Sequence, residues 1–350
     1  MKIAIDISQV IYGTGVSVYT KYLIKNLLKI DKENEYVLFG GSLRRKQDIL
    51  DIFPSSMVFS FPPKLADLVW NRLHILPLER FIGKVDVYHS SDWAQAPANA
   101  FKVTTVHDLI PLKFPRMIHS SVVEAHRRRL NRVKQEVDRI IVPSLATKKD
   151  LIEIGVREEK IRVTPEASSI KPATKKEVEI IKRKHNISGE YLLAISSVFY
   201  KNTESVVKAF DLSSAGKDLK LVIVGRQSNT QIGQRRGVRL TGFVGNSEYA
   251  ALCTGAKVLV FPSLYEGFGI PILDAFVCGT PVVTSNISSM PEVAGDAAVL
   301  VDPYEIQSIA DGIKKALSSP KALIAKGKKQ AIKFSWRNTA EETLSVYKES

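Results

Sequence analysis

Residues Phe261 to Val283 read FPSLYEGFGIPILDAFVCGTPVV. The apolar run Val258 to Phe261 stops at Pro262 and is followed by the turn Glu266-Gly267-Phe268-Gly269. Pro271 opens a second apolar segment, Gly279 closes it, and a further apolar run spans Pro281 to Thr284. Short apolar runs bounded by turn residues mark buried strands. Proline just inside a helix start and glycine just past its end bracket a helix over Pro271 to Cys278. The stretch is therefore strand, loop, helix, strand.

The start of that helix faces the glycine loop. Backbone N–H groups around Phe268, Gly269 and Ile270 carry partial positive charge there, and Gly267 and Gly269 let an anion approach the main chain closely. Two carboxylates flank the turn, Glu266 on the loop and Asp274 about one helical turn further on. Carboxylates accept bonds from hydroxyls, whereas a purely phosphate-binding loop favours lysine or serine, so the pattern fits a ligand with both phosphate and hydroxyls. On these residues alone a plainer reading stays open: Glu266 as a solvated loop acid and Asp274 as a complement to the helix dipole.

Working outward, the second half opens with a strand over Tyr191 to Ser196, and a turn at Tyr200-Lys201-Asn202 leads into a helix that Asn202 can N-cap. Strands follow at Leu219 to Gly225 and Val238 to Thr241, then a helix over Tyr249 to Ala256. The first half begins with a strand over Lys2 to Ile7 and a loop holding Gly13 and Gly15. Apolar residues from Val16 to Ile30 then recur at helical spacing before a strand at Tyr36 to Phe39. Further strands are expected at Met57 to Phe61, Val85 to His89, Lys102 to Val106, Arg139 to Pro143 and Ile161 to Pro165, with a basic helix over Ser121 to Asp138. Alternating strands and helices imply parallel sheets covered on both faces. His107 and Asp108 fall just beyond the C-terminal end of a buried strand, where open α/β sheets bind ligands. Residues 167–190 are rich in Ser, Lys and Pro, and the boundary belongs there, ahead of a helix over Lys175 to His185.

A length of 350 suggests two domains, each able to bury its own core. Net charge is +14, with basic clusters at Arg44 to Lys46, Arg127 to Lys134, Arg235 to Arg239 and Lys326 to Lys333. Such an excess favours anionic partners: nucleotides, acidic lipid headgroups or nucleic acid. Two cysteines, Cys253 and Cys278, are too few for a disulfide framework and read as reduced core thiols of an intracellular protein. The N-terminal MKIAIDISQ is too short an apolar run for a signal peptide, and no window is long enough to cross a bilayer, so any membrane attachment is expected to be peripheral. No His-Glu-x-x-His, Cys-x-x-Cys or Asp-x-Asp site for a metal stands out.

The stretch YEGFGIPILDAFVCGTPVVTSN, continuing as SMPEVAGDAAVLVDP to Pro303, resembles the retaining, nucleotide-sugar-dependent glycosyltransferases of family 4. The resemblance extends over nearly the whole chain and includes His-Asp-Leu-Ile-Pro from His107, Ile140 to Asp150 followed by Ile161 to Pro165, and the final segment Phe334 to Tyr347. It implies a GT-B fold: two Rossmann-like parallel-sheet domains facing an interdomain cleft. These would span 1–168 on the acceptor side and 169–335 on the nucleotide-sugar side, with residues 336–350 crossing back to the first domain.

It also implies roles. Glu266 and His107 would serve the sugar, and Lys201 the leaving diphosphate. Gly15, Asn202, Gly267 to Ile270 and Asp274 would line the donor site, with Phe243 and Val244 reading the base through main-chain groups. Three departures stand against the family pattern. Asp274 replaces a Glu, Tyr200 replaces the Arg of an Arg-Lys-Asn string, and Glu166-Ala167 replaces Asn-Gly. Arg226 is a substitute cation with no spacing argument behind it.

The expected reaction is transfer of a hexose, mannose favoured, from its guanosine diphosphate donor to a glycan or lipid-linked acceptor. It would proceed with retention and without metal or cofactor, the nucleotide sugar being a co-substrate. A cytoplasmic enzyme at the inner membrane face, touching anionic lipid through the basic helix, fits these expectations. Other readings are a sugar-nucleotide epimerase or phosphorylase on the same fold, or a basic nucleic-acid-binding protein. The last lacks aromatics interleaved with its basic clusters.

Overall fold

The computed structural model describes residues 1–196, 198–213, 219–225, 232–233 and 235–350. It divides into two units, Met1–Glu166 with Ser335–Ser350, and Ala167–Phe334.

In the first unit the apolar runs form β1 (Lys2–Asp6), β2 (Glu35–Gly41), β3 (Met57–Phe59), β4 (Val87–Ser90), β5 (Phe101–Thr105), β6 (Arg139–Val142) and β7 (Ile161–Val163). All pair in parallel, in the order β3-β2-β1-β4-β5-β6-β7. The second unit holds β8 (Glu190–Ile195), β9 (Leu219–Val224), β10 (Val238–Gly242), β11 (Val258–Phe261), β12 (Val282–Ser285) and β13 (Val299–Val301), also parallel, in the order β10-β9-β8-β11-β12-β13. In both sheets the order reverses once, at β1/β4 and at β8/β11. Open α/β sheets bind ligands at the carboxyl ends of the strands flanking such a reversal.

The second sheet is buried on both faces, as continuous apolar strands require. Tyr191 and Leu193 of β8 and Leu259 and Phe261 of β11 join one core, while Leu192, Ala194, Val258 and Val260 join the other. That split is the two-residue alternation of a strand.

The central helix runs Ile270–Val277, with Pro271 in its first turn. It ends in a Schellman motif: Gly279, at φ +73°, donates to the Phe276 carbonyl, and Thr280 donates to that of Ala275. The terminal helix Trp336–Tyr347, read from sequence only as amphipathic, is a working part of the first unit. Trp336 stacks on Tyr22 of the Gly15–Ile30 helix with ring centres 5.6 Å apart, and Tyr347 is fully buried.

The strand β13 and the helices Ile306–Ser318 and Pro320–Ala331 are additions to the expected elements. Their apolar residues pack against elements distant in sequence. Some strands end up to two residues earlier than expected, as at Met57–Phe59.

Candidate active site

The reversal in the second sheet sets the ends of β8 and β11 side by side, and each is followed by a loop that holds a charged candidate residue. After β8 a single 3-10 turn, Phe199–Lys201, presents Lys201. After β11 the glycine loop presents Glu266. Lys201 Nζ donates to Glu266 Oε1 at 2.7 Å, and both side chains are nearly buried, 12% and 11% exposed. Lys201 also lies 4.7 Å from the centre of the Phe261 ring, a cation–π contact.

The surrounding backbone is tied down. The Leu264 N–H donates to the Tyr200 carbonyl at 2.8 Å, joining the two loops. Asn202 sits in the left-handed region (φ +57°), which asparagine tolerates better than most residues. Its expected N-cap bond is not made. Instead Nδ2 donates to the carbonyls of Pro262 (3.1 Å) and Pro303 (2.7 Å), so the amide links the loops after β8, β11 and β13 rather than capping its own helix.

Two serines hold the glycine loop from below. The Ser288 hydroxyl donates to the Glu266 carbonyl at 2.7 Å and accepts from the Glu266 N–H at 3.2 Å. Ser289 Oγ lies 2.6 Å from the Phe268 carbonyl and 3.0 Å from that of Glu266. Neither serine was singled out from sequence. The only available signal was their place, two strand lengths on, in the run TSNISSMPEV.

The remaining donor-side candidates separate by burial. Gly269 forms the N-cap of the central helix at φ +114°, beside Gly267 and Ile270. Phe268 points its ring into the core against Phe334, at 5.8 Å, so only its main chain is placed to meet a ligand. Phe243 is 76% exposed and Val244 buried. Asp274 is buried and accepts a bond from Ser168 Oγ at 2.6 Å. Burial pushes its carboxyl up to about 7, against the lowering effect of Ser168. Arg226 lies outside the described residues.

In the first unit, Gly15 opens the Gly15–Ile30 helix behind a capping box of Thr14 and Ser17. A Cβ added there would meet nothing within 4 Å. His107 follows β5 and is buried. Its Nδ1 lies 3.0 Å from Glu166 Oε1, the Tyr19 ring meets its ring edge-on at 4.5 Å, and Nε2 is buried with no hydrogen-bond partner among the described residues. Burial alone would lower the imidazole pKa. The Glu166 bond and charge, with Asp92 and Asp108, outweigh it and raise the value. The replacement of Asn-Gly by Glu166-Ala167 thus supplies His107 with a partner, a pairing that spacing did not suggest.

At the reversal of the same sheet a cavity opens beside Asp6, Ser8 and Ser91, walled by Phe61, Trp70 and Trp93 among others. The basic helix is observed as Ser120–Glu136, and three of its four arginines, all but the exposed Arg127, are engaged within the unit. Arg129 is fully buried against Asp92, Thr104 and the Thr105 carbonyl, Arg128 pairs with Asp67, and Arg132 donates to the carbonyls of Asn71 and Arg72. Among the described residues no group of three or more His, Cys, Asp or Glu could hold a metal ion, and no helix is long and apolar enough to cross a membrane.

Comparison with known proteins matches residues 177–333 to the family described as glycosyl transferases group 1 and residues 13–167 to glycosyltransferase family 4. The chain is 42% identical over 120 residues to O-antigen chain mannosyltransferase B of Escherichia coli, covering 33% of this chain and 32% of that one. It is 30% identical over 187 residues to the serotype-specific mannosyltransferase WbdA of the same organism, covering 49% of this chain and 23% of that one. The matched region therefore spans a third or less of these relatives.

Among solved structures, sucrose-phosphate synthase from Thermosynechococcus elongatus superposes with a TM-score of 0.77 at 16% identity, covering 100% of this chain and 98% of the other. Anabaena Alr3699/HepE, solved in complex with UDP and glucose, gives 0.76 at 16% identity, with 100% of both chains covered. The two parallel-sheet units are those of the GT-B glycosyltransferase class. The chain belongs to the group 1, family 4 glycosyltransferases.

Proposed function

We propose that this chain transfers a hexose, mannose favoured, from a nucleotide diphosphate sugar to a glycan or lipid-linked acceptor, retaining the anomeric configuration and using no metal. The observation that carries the reading is the Lys201–Glu266 pair, 2.7 Å apart beside the start of the central helix at the reversal of the second sheet.

A diphosphate bound there meets the Lys201 cation and the positive end of the helix. As the glycosidic bond breaks, charge grows on the leaving phosphate, so these groups stabilise the transition state more than the ground state. Lys201 in turn fixes the Glu266 carboxylate, which is assigned to the hydroxyls of the transferred sugar. Asp274 is assigned to the ribose and His107 to a sugar hydroxyl. Retention would follow a front-face route, in which leaving-group phosphate takes the proton of the incoming hydroxyl. Mannose is supported by the names of the two Escherichia coli relatives. A diphosphate donor is supported by the neighbour solved with UDP and glucose.

The acceptor is assigned to the first unit, whose cavity beside Asp6, Ser8 and Ser91 offers rings and hydroxyls together. Cytoplasmic placement with contact to anionic lipid remains part of the proposal. It now rests on the exposed Arg127 and the Arg44 to Lys46 cluster, because Arg128 and Arg129 are engaged within the unit.

A thermal-shift panel of nucleoside diphosphates and their sugars tests the donor. A bound donor at about 100 times its dissociation constant adds roughly 2.7 kcal/mol of stability. GDP-mannose is expected to give the largest shift, and silence across the panel sinks the reading. Glu266→Gln is expected to cut turnover by about a hundredfold or more, in the range for loss of a group that acts on transition-state charge. Turnover should persist in excess EDTA. Loss in EDTA with recovery on adding magnesium would overturn metal independence.

A further inference from the structure

His107 is buried, yet its Nε2 meets no hydrogen-bond partner among the described residues. Buried polar groups are nearly always bonded, and those that are not mark a place where something else supplies the bond. The opposite nitrogen is spoken for: Glu166 Oε1 lies 3.0 Å from Nδ1, and a carboxylate can only accept, so Nδ1 carries the proton. The groups facing the ring are Tyr19 from the Gly15–Ile30 helix, His89 on β4, Asp92 beyond β4, Asp108 next in the chain and Glu166 beyond β7. Three of these five are acids, and His89 is held neutral by burial, its pKa lowered to about 3. The surroundings therefore favour an imidazolium whose Nε2 is also a donor, and the direction of its pKa agrees.

We infer that Glu166 is the positioning residue of the first unit's site: accepting from Nδ1, it fixes the His107 ring and makes Nε2–H a donor to an oxygen of the bound substrate. A neutral imidazole protonated only at Nδ1 would accept from a hydroxyl at Nε2 instead, so the Glu166 charge, by favouring the imidazolium, decides the polarity of this contact. The inference rests on the proposed transfer reaction only for the identity of that oxygen.

The test begins without substrate. The six histidines are followed by proton NMR from pH 5 to 9 in wild type, Glu166→Gln and Glu166→Asp, with His107→Asn identifying the resonance. Removing a charge at this range is expected to lower the His107 midpoint by about one pH unit or more, and Glu166→Asp to keep part of the shift. An unchanged midpoint in Glu166→Gln overturns the inference.

Release of nucleoside diphosphate from GDP-mannose or UDP-glucose is then measured against pH. The alkaline limb of kcat/KM should move down with the midpoint, so the deficit of Glu166→Gln widens as pH rises and narrows as it falls. A deficit equal at every pH would mark a merely structural role and also overturn it. Absence of turnover with any sugar nucleotide in wild type would sink the proposed function, while the substrate-free titration still decides the part played by Glu166.

Discussion

Asp274 shows how one buried side chain sets a pH dependence. Its folded pKa, about 7, lies above the ordinary carboxylate value near 4, so between those values the folded state holds a proton that the unfolded chain has released. Stability of the second unit therefore falls as pH rises from 4 to 7 and levels off above. Chemical denaturation at pH 5 and pH 8 should show a loss of about 1–3 kcal/mol on raising the pH, absent in Asp274→Asn. An equal loss in the variant would place the effect elsewhere. The family's glutamate at this position would reach one methylene further, and here the shorter acid is held by Ser168, 106 residues earlier in the chain. From the sequence the carboxylate was evident. Its burial was not, because that depends on what packs around it.

At the scale of the element, the loop and helix after β11 are over-determined at both ends. Gly279 closes the helix at φ +73°, where a side chain would find only ordinary contacts with Lys328 and Ile324, so a substitution there tests backbone strain alone. Gly279→Ala should cost about 1–2 kcal/mol, the left-handed penalty for an L-residue. In a unit of this size that lowers Tm by a few degrees.

Ser289→Ala removes the hydroxyl that holds the Phe268 carbonyl, while the Glu266 carbonyl keeps its bond from Ser288. Thermal melting should show a loss of about 1–3 kcal/mol, and donor affinity should fall with it. Unchanged donor affinity would mean the loop is ordered without the serine. Pro271 and Gly279 announced this helix in advance, because helix boundaries are written in local backbone preferences. The serine clamp comes from a segment 21 to 23 residues away and carries no such local mark.

Across the whole molecule, buried groups respond to acid in opposite directions, even within one unit. His89 in the first unit is buried and neutral, its pKa lowered to about 3, with both ring nitrogens engaged by the hydroxyls of Tyr347 and Thr105. The unfolded chain takes up that proton below about 6.5, so the His89 contribution is complete above that pH and is lost as pH falls toward 3. The raised His107 behaves oppositely: its contribution is complete below about 6.5 and is lost as pH rises through the folded value. All three tryptophans, Trp70, Trp93 and Trp336, belong to the first unit, so tryptophan fluorescence reports that unit alone while ellipticity reports both. On going from pH 7 to 5, the fluorescence-detected Tm of wild type should fall relative to that of His89→Gln, and the difference should be constant above pH 7. A gap independent of pH would show that His89 is not the titrating group.

What the sequence alone determined is the succession of elements: apolar runs of strand length, the proline and glycine that bound the central helix, and the alternation that makes both sheets parallel. These follow from preferences acting over a few neighbouring residues. What the tertiary structure alone decided is who meets whom. Lys201 and Glu266 are 65 residues apart, His107 and Glu166 are 59 apart, and each pair forms because strand order places the two chain segments at the same edge of a sheet. Strand order is fixed by packing of the whole unit, so residue type could nominate Lys201, Glu266 and His107, while only the fold could show that Lys201 is already bonded to Glu266 and that His107 takes its partner from the far end of the first unit.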